Sequence, residues 1–129
     1  MEESLIVDSD ILIDYLKEQP EAVFFLEQNI EKNIYISAIT VAEIYARKKS
    51  QKEEIILNNF FQTFNIIEIS ENIAKQAGII KNTWHKSHGI GFADAIVAAT
   101  TQNHNLTLVT LNKKHYPMIN NILIPYTKK

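Results

Sequence analysis

The 129-residue chain contains no cysteine, and this absence excludes both a disulfide framework and a thiolate zinc site. It also lacks any apolar run near the roughly 18 residues that a membrane-spanning helix needs. The N-terminal sequence MEESLIVDSD begins acidic, without the basic flank and apolar stretch of a signal peptide. We therefore expect a cytoplasmic protein that does not enter a membrane.

Positive charge is scarce as well. The formal net charge is −2, and Arg47 is the single arginine. A protein that coats nucleic acid nonspecifically neutralises many phosphates with Lys and Arg, so the charge argues against that mode. An enzyme is still compatible with it, because a bound metal ion supplies positive charge locally. The length and ordinary composition, without repeats or linkers, indicate one globular domain over residues 1–129.

Short apolar runs alternate with longer segments of helical spacing along the chain. Strands are predicted at 5–7, 34–37, 65–69 and 106–111, with a last short one in the segment NILIPY. Helices are predicted at 11–17, from Pro20, over 41–49, over 53–64, after Ser70 and over 92–103. This alternation predicts an α/β fold with a parallel central sheet flanked by helices.

Four polar residues fall where ligands gather in such folds, beyond the carboxyl ends of the strands. Asp8 and Asn112 directly follow predicted strands, whereas Glu43 and Asp94 lie early in predicted helices. Three acids around one pocket repel one another unless a cation neutralises them. Hard divalent cations prefer oxygen ligands, so the pattern favours a divalent-metal site.

Each acid also has a purely structural interpretation. Thr40 and Glu43 have the spacing of a capping box, in which Glu43 would reach back to the Thr40 amide. Asp8 or Asp10 would cap the helix that starts near residue 11. Asp94 would complement a helix dipole. The residues alone leave both interpretations open.

Four segments carry a resemblance to a known family. DSDILIDYL, SAITVAEI, FADAIVAAT and LVTLNKKHY occur in the order and spacing of PIN-domain ribonucleases, and the chain most resembles the VapC-type toxins of bacterial toxin–antitoxin pairs. The resemblance covers nearly the whole chain. It implies a PIN-like domain with an acidic site and endonucleolytic cutting of RNA that depends on Mg²⁺ or Mn²⁺.

The resemblance also assigns residues to that site. Asp8, Glu43 and Asp94 match the first three family acids, and they are the expected metal ligands, with Asp8 and Asp94 the principal ones. Asn112 occupies the fourth acidic position and is expected to take part in catalysis without balancing the ion's charge. This departure puts a second metal ion in doubt.

Three further residues match polar positions around these acids. Thr110 and His115 flank the fourth position, and His115 is expected to have a structural or substrate-orienting role. Asp10 stands where the family often has Asn or Ser. An extra acid there would compensate for Asn112.

The remaining polar and aromatic residues favour structural roles. His85 and His88 lack a local acid that would complete a familiar zinc motif. The lysines around positions 48–52 and 113–114 are expected on solvated faces, with contact to RNA phosphates as the alternative. Core or interface packing, rather than base stacking, is expected for the larger aromatic residues Tyr15, Tyr45 and Trp84.

The resemblance predicts an RNA substrate, a cognate antitoxin protein and a homodimer. Two competing classes remain. A catalytically inactive PIN-like domain that binds RNA or protein is disfavoured, because all three acids are retained. A phosphoacceptor receiver domain would need an isolated Asp after the third strand, where this chain has Ser70.

Overall fold

The structure, a computed structural model, describes residues 3–128. The strands of this region are β1 (Leu5–Val7), β2 (Ile34–Ser37), β3 (Asn65–Ile67), β4 (Thr107–Val109) and β5 (Ile122–Leu123). Its α-helices are α1 (Ser9–Leu16), α2 (Pro20–Gln28), α3 (Ala38–Tyr45), α4 (Gln51–Phe61), α5 (Glu71–His88) and α6 (Phe92–Asn103).

The strands form one sheet in the order β3-β2-β1-β4-β5, and every neighbouring pair is parallel. The central strand β1 pairs with β2 on one side and β4 on the other. The predicted α/β class, a parallel sheet with flanking helices, is therefore confirmed. The carboxyl ends of all strands lie at the same edge, because parallel strands run in one direction.

Apolar side chains cover both faces of the sheet. Ile6 packs into a cluster with residues of α5 and α6, whereas Leu5 and Val7 pack into a second cluster with residues of α1, α3 and α4. A strand that is buried on both faces has an unbroken apolar sequence, as β1 has with LIV. Small side chains let α6 pack closely in the first cluster, where the fully buried ones are Ala95, Ala98 and Ala99.

Side-chain caps explain where several helices begin, and they correct one prediction. Ser37 caps α3 by accepting a hydrogen bond from the Ile39 amide at 3.2 Å. The capping-box interpretation of Thr40 and Glu43 is therefore wrong. Ser37 ends β2 in an extended conformation, which suits an N-cap, and α3 is already helical at Thr40.

The limits of several elements also differ from the sequence-based expectation. Helix α1 begins at Ser9, and α3 runs from Ala38 to Tyr45 without including the basic residues that follow. That basic run forms a loop because Ser50 caps a new helix, α4. The strands β3 and β4 are shorter than predicted, ending at Ile67 and Val109. Among residues 3–128, no helix has the length and apolar character that crossing a membrane requires.

Candidate functional site

The carboxyl edge of the sheet carries an acid pocket, which we define as Asp8, Asp10, Glu43 and Asp94. Asp8 directly follows β1, and Asp10 lies in the first turn of α1. Glu43 belongs to α3, the helix after β2, and Asp94 lies in the first turn of α6. Because β1, β2 and β4 are neighbours, the segments that follow them meet at this edge.

Asp8 is the most deeply buried acid of the pocket, with 5% of its surface exposed. Its Oδ1 accepts a hydrogen bond from the Ser9 amide at 2.8 Å, which makes Asp8 the N-cap of α1. Its Oδ2 accepts hydrogen bonds from the Thr110 hydroxyl at 3.0 Å and the Tyr116 hydroxyl at 2.9 Å. The capping interpretation of Asp8 is thus correct, and it coexists with a place in the pocket.

Asp94 is linked to Asp8 through a residue that the sequence did not single out. The Tyr116 hydroxyl that donates to Asp8 also lies 3.2 Å from Asp94 Oδ1. The other oxygen, Oδ2, lies 3.2 Å from His115 Nδ1. Tyr116 is fully buried, and its place at the end of the segment LVTLNKKHY was the only sequence signal for it.

Asp10 ties α1 to the segment after β4. Its Oδ2 accepts hydrogen bonds from the Leu111 amide at 2.9 Å and the Asn112 side-chain amide at 3.3 Å, and the Thr110 hydroxyl lies 3.3 Å from the same oxygen. Asn112 therefore presents its N–H group to an acid of the pocket. A neutral amide is suited to this position because a carboxylate there would face Asp10 with like charge.

The acids perturb one another because they are buried together. Burial and the charge of Asp10 raise the pKa of Asp8 to about 7. Burial raises the pKa of Asp10, and burial with the charge of Asp94 raises that of Glu43. Among residues 3–128, no Lys or Arg lies within salt-bridge distance of these acids.

This donor set fits a hard divalent cation. Negative charge is concentrated and is not balanced by any Lys or Arg of residues 3–128, and carboxylate oxygens are the ligands that Mg²⁺ prefers. Within the described chain, no group of three acidic or histidine side chains is close enough to hold an ion by itself. Mg²⁺ usually keeps several waters and takes only one or two carboxylates, so two carboxylates such as those of Asp8 and Asp94 would be enough protein ligands.

The two histidines and three aromatic residues considered in the sequence lie away from the acid pocket. His85 and His88 are in the last turn of α5, where they contact a backbone carbonyl and the Ser87 hydroxyl. Trp84 packs against the cluster beneath α5 and α6, and Tyr15 and Tyr45 pack against the opposite cluster. These three aromatic side chains are therefore structural.

Comparisons with known proteins agree with this architecture. Residues 5–118 match the sequence model of the PIN domain family. The chain is similar to Ribonuclease VapC10 of Mycobacterium tuberculosis, with 29% identity over 95% of this chain and 92% of the relative. It is also similar to Ribonuclease VapC1 of Methanocaldococcus jannaschii, with 32% identity over 89% of this chain and 80% of the relative.

A solved toxin–antitoxin complex from Klebsiella pneumoniae contains a chain of the same fold. Its TM-score is 0.82 at 32% identity, and the alignment covers 96% of this chain and 99% of that one. The parallel sheet, the acids at its carboxyl edge and the match over most of the sequence lead to one conclusion. This chain belongs to the PIN domain family.

Proposed function

We propose that the chain is an endoribonuclease dependent on Mg²⁺ or Mn²⁺ and the toxin of a toxin–antitoxin pair. The observation that carries this proposal is the acid pocket, in which Asp8 and Asp94 converge without a basic partner from Lys or Arg among residues 3–128. Relatives named Ribonuclease VapC support RNA as the substrate. The proposal places one nuclease domain over residues 1–129, acting in the cytoplasm.

Asp8 and Asp94 would hold the metal, with Glu43 close by and Asn112 at the rim. When bound, the cation supplies a water of lowered pKa for attack on phosphorus and offsets charge on the phosphate oxygens. The protein's part is to orient the Asp8 carboxylate. The Ser9 amide and the Thr110 hydroxyl fix the Asp8 carboxylate by donating to its two oxygens.

RNA cleavage in vitro tests the catalytic part of the proposal. We expect cleavage of single-stranded RNA to stop in EDTA and to return with Mg²⁺ or Mn²⁺. Asp94→Asn keeps the size and helical position of the side chain but removes its charge, so it should lose at least about a hundredfold in rate, or roughly 2.7 kcal/mol of barrier. Full activity in EDTA, or of Asp94→Asn, would contradict the proposal, and a DNA oligonucleotide of the same sequence tests substrate class.

We propose that the antitoxin docks in a groove of about 570 Å³ between α1, α3 and α4. Its apolar lining includes Ile13, Ile44 and Ile56, and its rim carries the basic loop of Arg47, Lys48 and Lys49. Apolar walls with a basic rim suit an amphipathic segment that has acidic residues on its flank. A basic side chain of the antitoxin would then be directed at the acid pocket.

Two exposed isoleucines make a matched test of this interface. Ile56 lines the groove and is 52% exposed, whereas Ile79 on α5 is 67% exposed and lies outside it. Ile56→Glu should weaken binding of the protein encoded beside this gene by about tenfold or more, and Ile79→Glu should leave it unchanged. Equal affinities would contradict docking in this groove. Sedimentation of the free protein tests the proposed homodimer.

A further inference from the structure

Tyr116 is a buried side chain that no part of the proposed reaction has yet used. It follows the short 3₁₀ turn Lys113–His115, and its ring packs in the cluster beneath α5 and α6 with only 1% of its surface exposed. Its hydroxyl reaches Asp8 Oδ2 at 2.9 Å and Asp94 Oδ1 at 3.2 Å. One rigid ring thus contacts acids from two different elements of the fold.

The chemistry of a phenol limits what this contact does. A neutral phenol has one O–H, so it donates fully to only one of the two carboxylates at a time. Burial and the charges of Asp8 and Asp94 raise the pKa of Tyr116 far above its usual value, so the hydroxyl remains a donor. The O–H dipole therefore offsets part of the repulsion between the two carboxylates.

The same contact leaves a defined part of Asp8 free. Each carboxylate oxygen has two acceptor positions. The hydroxyls of Tyr116 and Thr110 both lie within hydrogen-bond distance of Oδ2, whereas Oδ1 accepts a hydrogen bond from the Ser9 amide. Oδ1 consequently keeps one acceptor position for a further partner, and the Tyr116 hydroxyl bond to Oδ2 holds the orientation of the carboxylate.

We propose that Tyr116 is a positioning residue that fixes the Asp8 and Asp94 carboxylates relative to each other for binding a divalent cation. This inference rests on the proposed function. Side chains that hydrogen bond to ligands orient them and raise affinity, and their loss typically costs 10–100-fold in metal affinity or activity. The role belongs to the hydroxyl, because the ring alone contributes packing.

Tyr116→Phe tests this role by removing one oxygen while keeping the buried ring. Tyr126→Phe is the matched control, because the Tyr126 hydroxyl also donates to an aspartate, Asp14 Oδ2, at 2.8 Å. Mn²⁺ binding is measured by calorimetry, with fluorescence of Trp84, the single tryptophan, reporting the fold. We expect the Mn²⁺ dissociation constant to rise about tenfold or more in Tyr116→Phe and to stay unchanged in Tyr126→Phe.

The outcomes separate the inference from the function on which it rests. If Tyr116→Phe binds Mn²⁺ as tightly as the wild-type protein, or more tightly, the inference is wrong and the proposed function is unaffected. The hydroxyl would then contribute nothing to metal binding, or would compete with the ion. No Mn²⁺ binding by the wild-type protein would overturn both.

A measurement on the unmodified sequence removes any dependence on variant folding. In wild-type protein carrying ¹³C at tyrosine Cζ, we expect Mg²⁺ to shift the Tyr116 resonance and leave that of Tyr126 in place. Saturation with Mg²⁺ without a Tyr116 shift would also overturn the inference.

Discussion

Replacing Asp8 by asparagine removes the charge from the most deeply buried acid of the pocket. Burial and Asp10 raise its pKa from 3.8 to about 7 in the folded protein. At about 1.4 kcal/mol per pKa unit, the ionised carboxylate destabilises the metal-free fold by up to about 4 kcal/mol above pH 7. Asparagine resembles the protonated acid, so the variant should recover part of this energy.

The hydrogen bonds of Asp8 reduce the expected gain. Asparagine has one acceptor oxygen, so it keeps either the cap to the Ser9 amide or the bonds from Thr110 and Tyr116. Losing a cap costs about 0.5–2 kcal/mol. A net gain of about 2 kcal/mol remains at pH 8, or roughly 6–10 °C in Tm for a chain of this length.

The pH dependence makes this prediction specific. Because the folded-state pKa is raised, protonation of Asp8 favours the native state at low pH, and that contribution is lost as the pH rises from 3.8 to about 7. Chemical unfolding in EDTA, followed by Trp84 fluorescence, should show the Asp8→Asn gain at pH 8 and little or none at pH 5. A destabilised variant at pH 8, or an equal gain at both pH values, would refute the reasoning.

The remaining predictions concern the neighbours of Asp8. Asp10→Asn removes a charge that raises the pKa of Asp8, so the fall in metal-free stability with rising pH should be smaller and should end at lower pH, as unfolding titrations would show. Asn112→Ala should reduce RNA cleavage at least tenfold less than Asp94→Ala, a difference of roughly 1.4 kcal/mol in barrier. Asn112→Asp should tighten Mn²⁺ binding in calorimetry and lower metal-free stability, because its carboxylate would face Asp10.

The fold was predictable from the sequence because its signals are local and repeated. Apolar runs such as LIV alternate with amphipathic segments, and this alternation specifies parallel strands joined by helices. The strand ends were less predictable. In the sequence, Thr110 and Leu111 continue the apolar run of β4. In the structure the strand ends before them, because the Thr110 hydroxyl donates to Asp8 and the Leu111 amide donates to Asp10. The Asn112 amide donates back to the Thr110 hydroxyl.

The candidate site was predictable only in part. Asp8 follows a strand and Asp94 begins a helix, so their placement near the carboxyl edge follows from parallel pairing. The contacts of Tyr116 with these acids depend on how the chain turns after β4, and no local pattern encodes that turn. The capping-box interpretation was wrong for a related reason. Ser37 and Thr40 are both residues that cap helices well, and the point at which β2 ends determines that Ser37 is the N-cap.

Mapping of RNA 5′ ends in cells tests the central claim most directly. The wild-type protein is expressed under tight control beside Asp94→Asn, and total RNA is sequenced from its newly formed ends. Metal-dependent endonucleolytic cutting at the acid pocket predicts new ends at recurrent sites with the wild-type protein and their absence with Asp94→Asn. The same ends with both proteins, or no new ends with the wild type, would contradict the account.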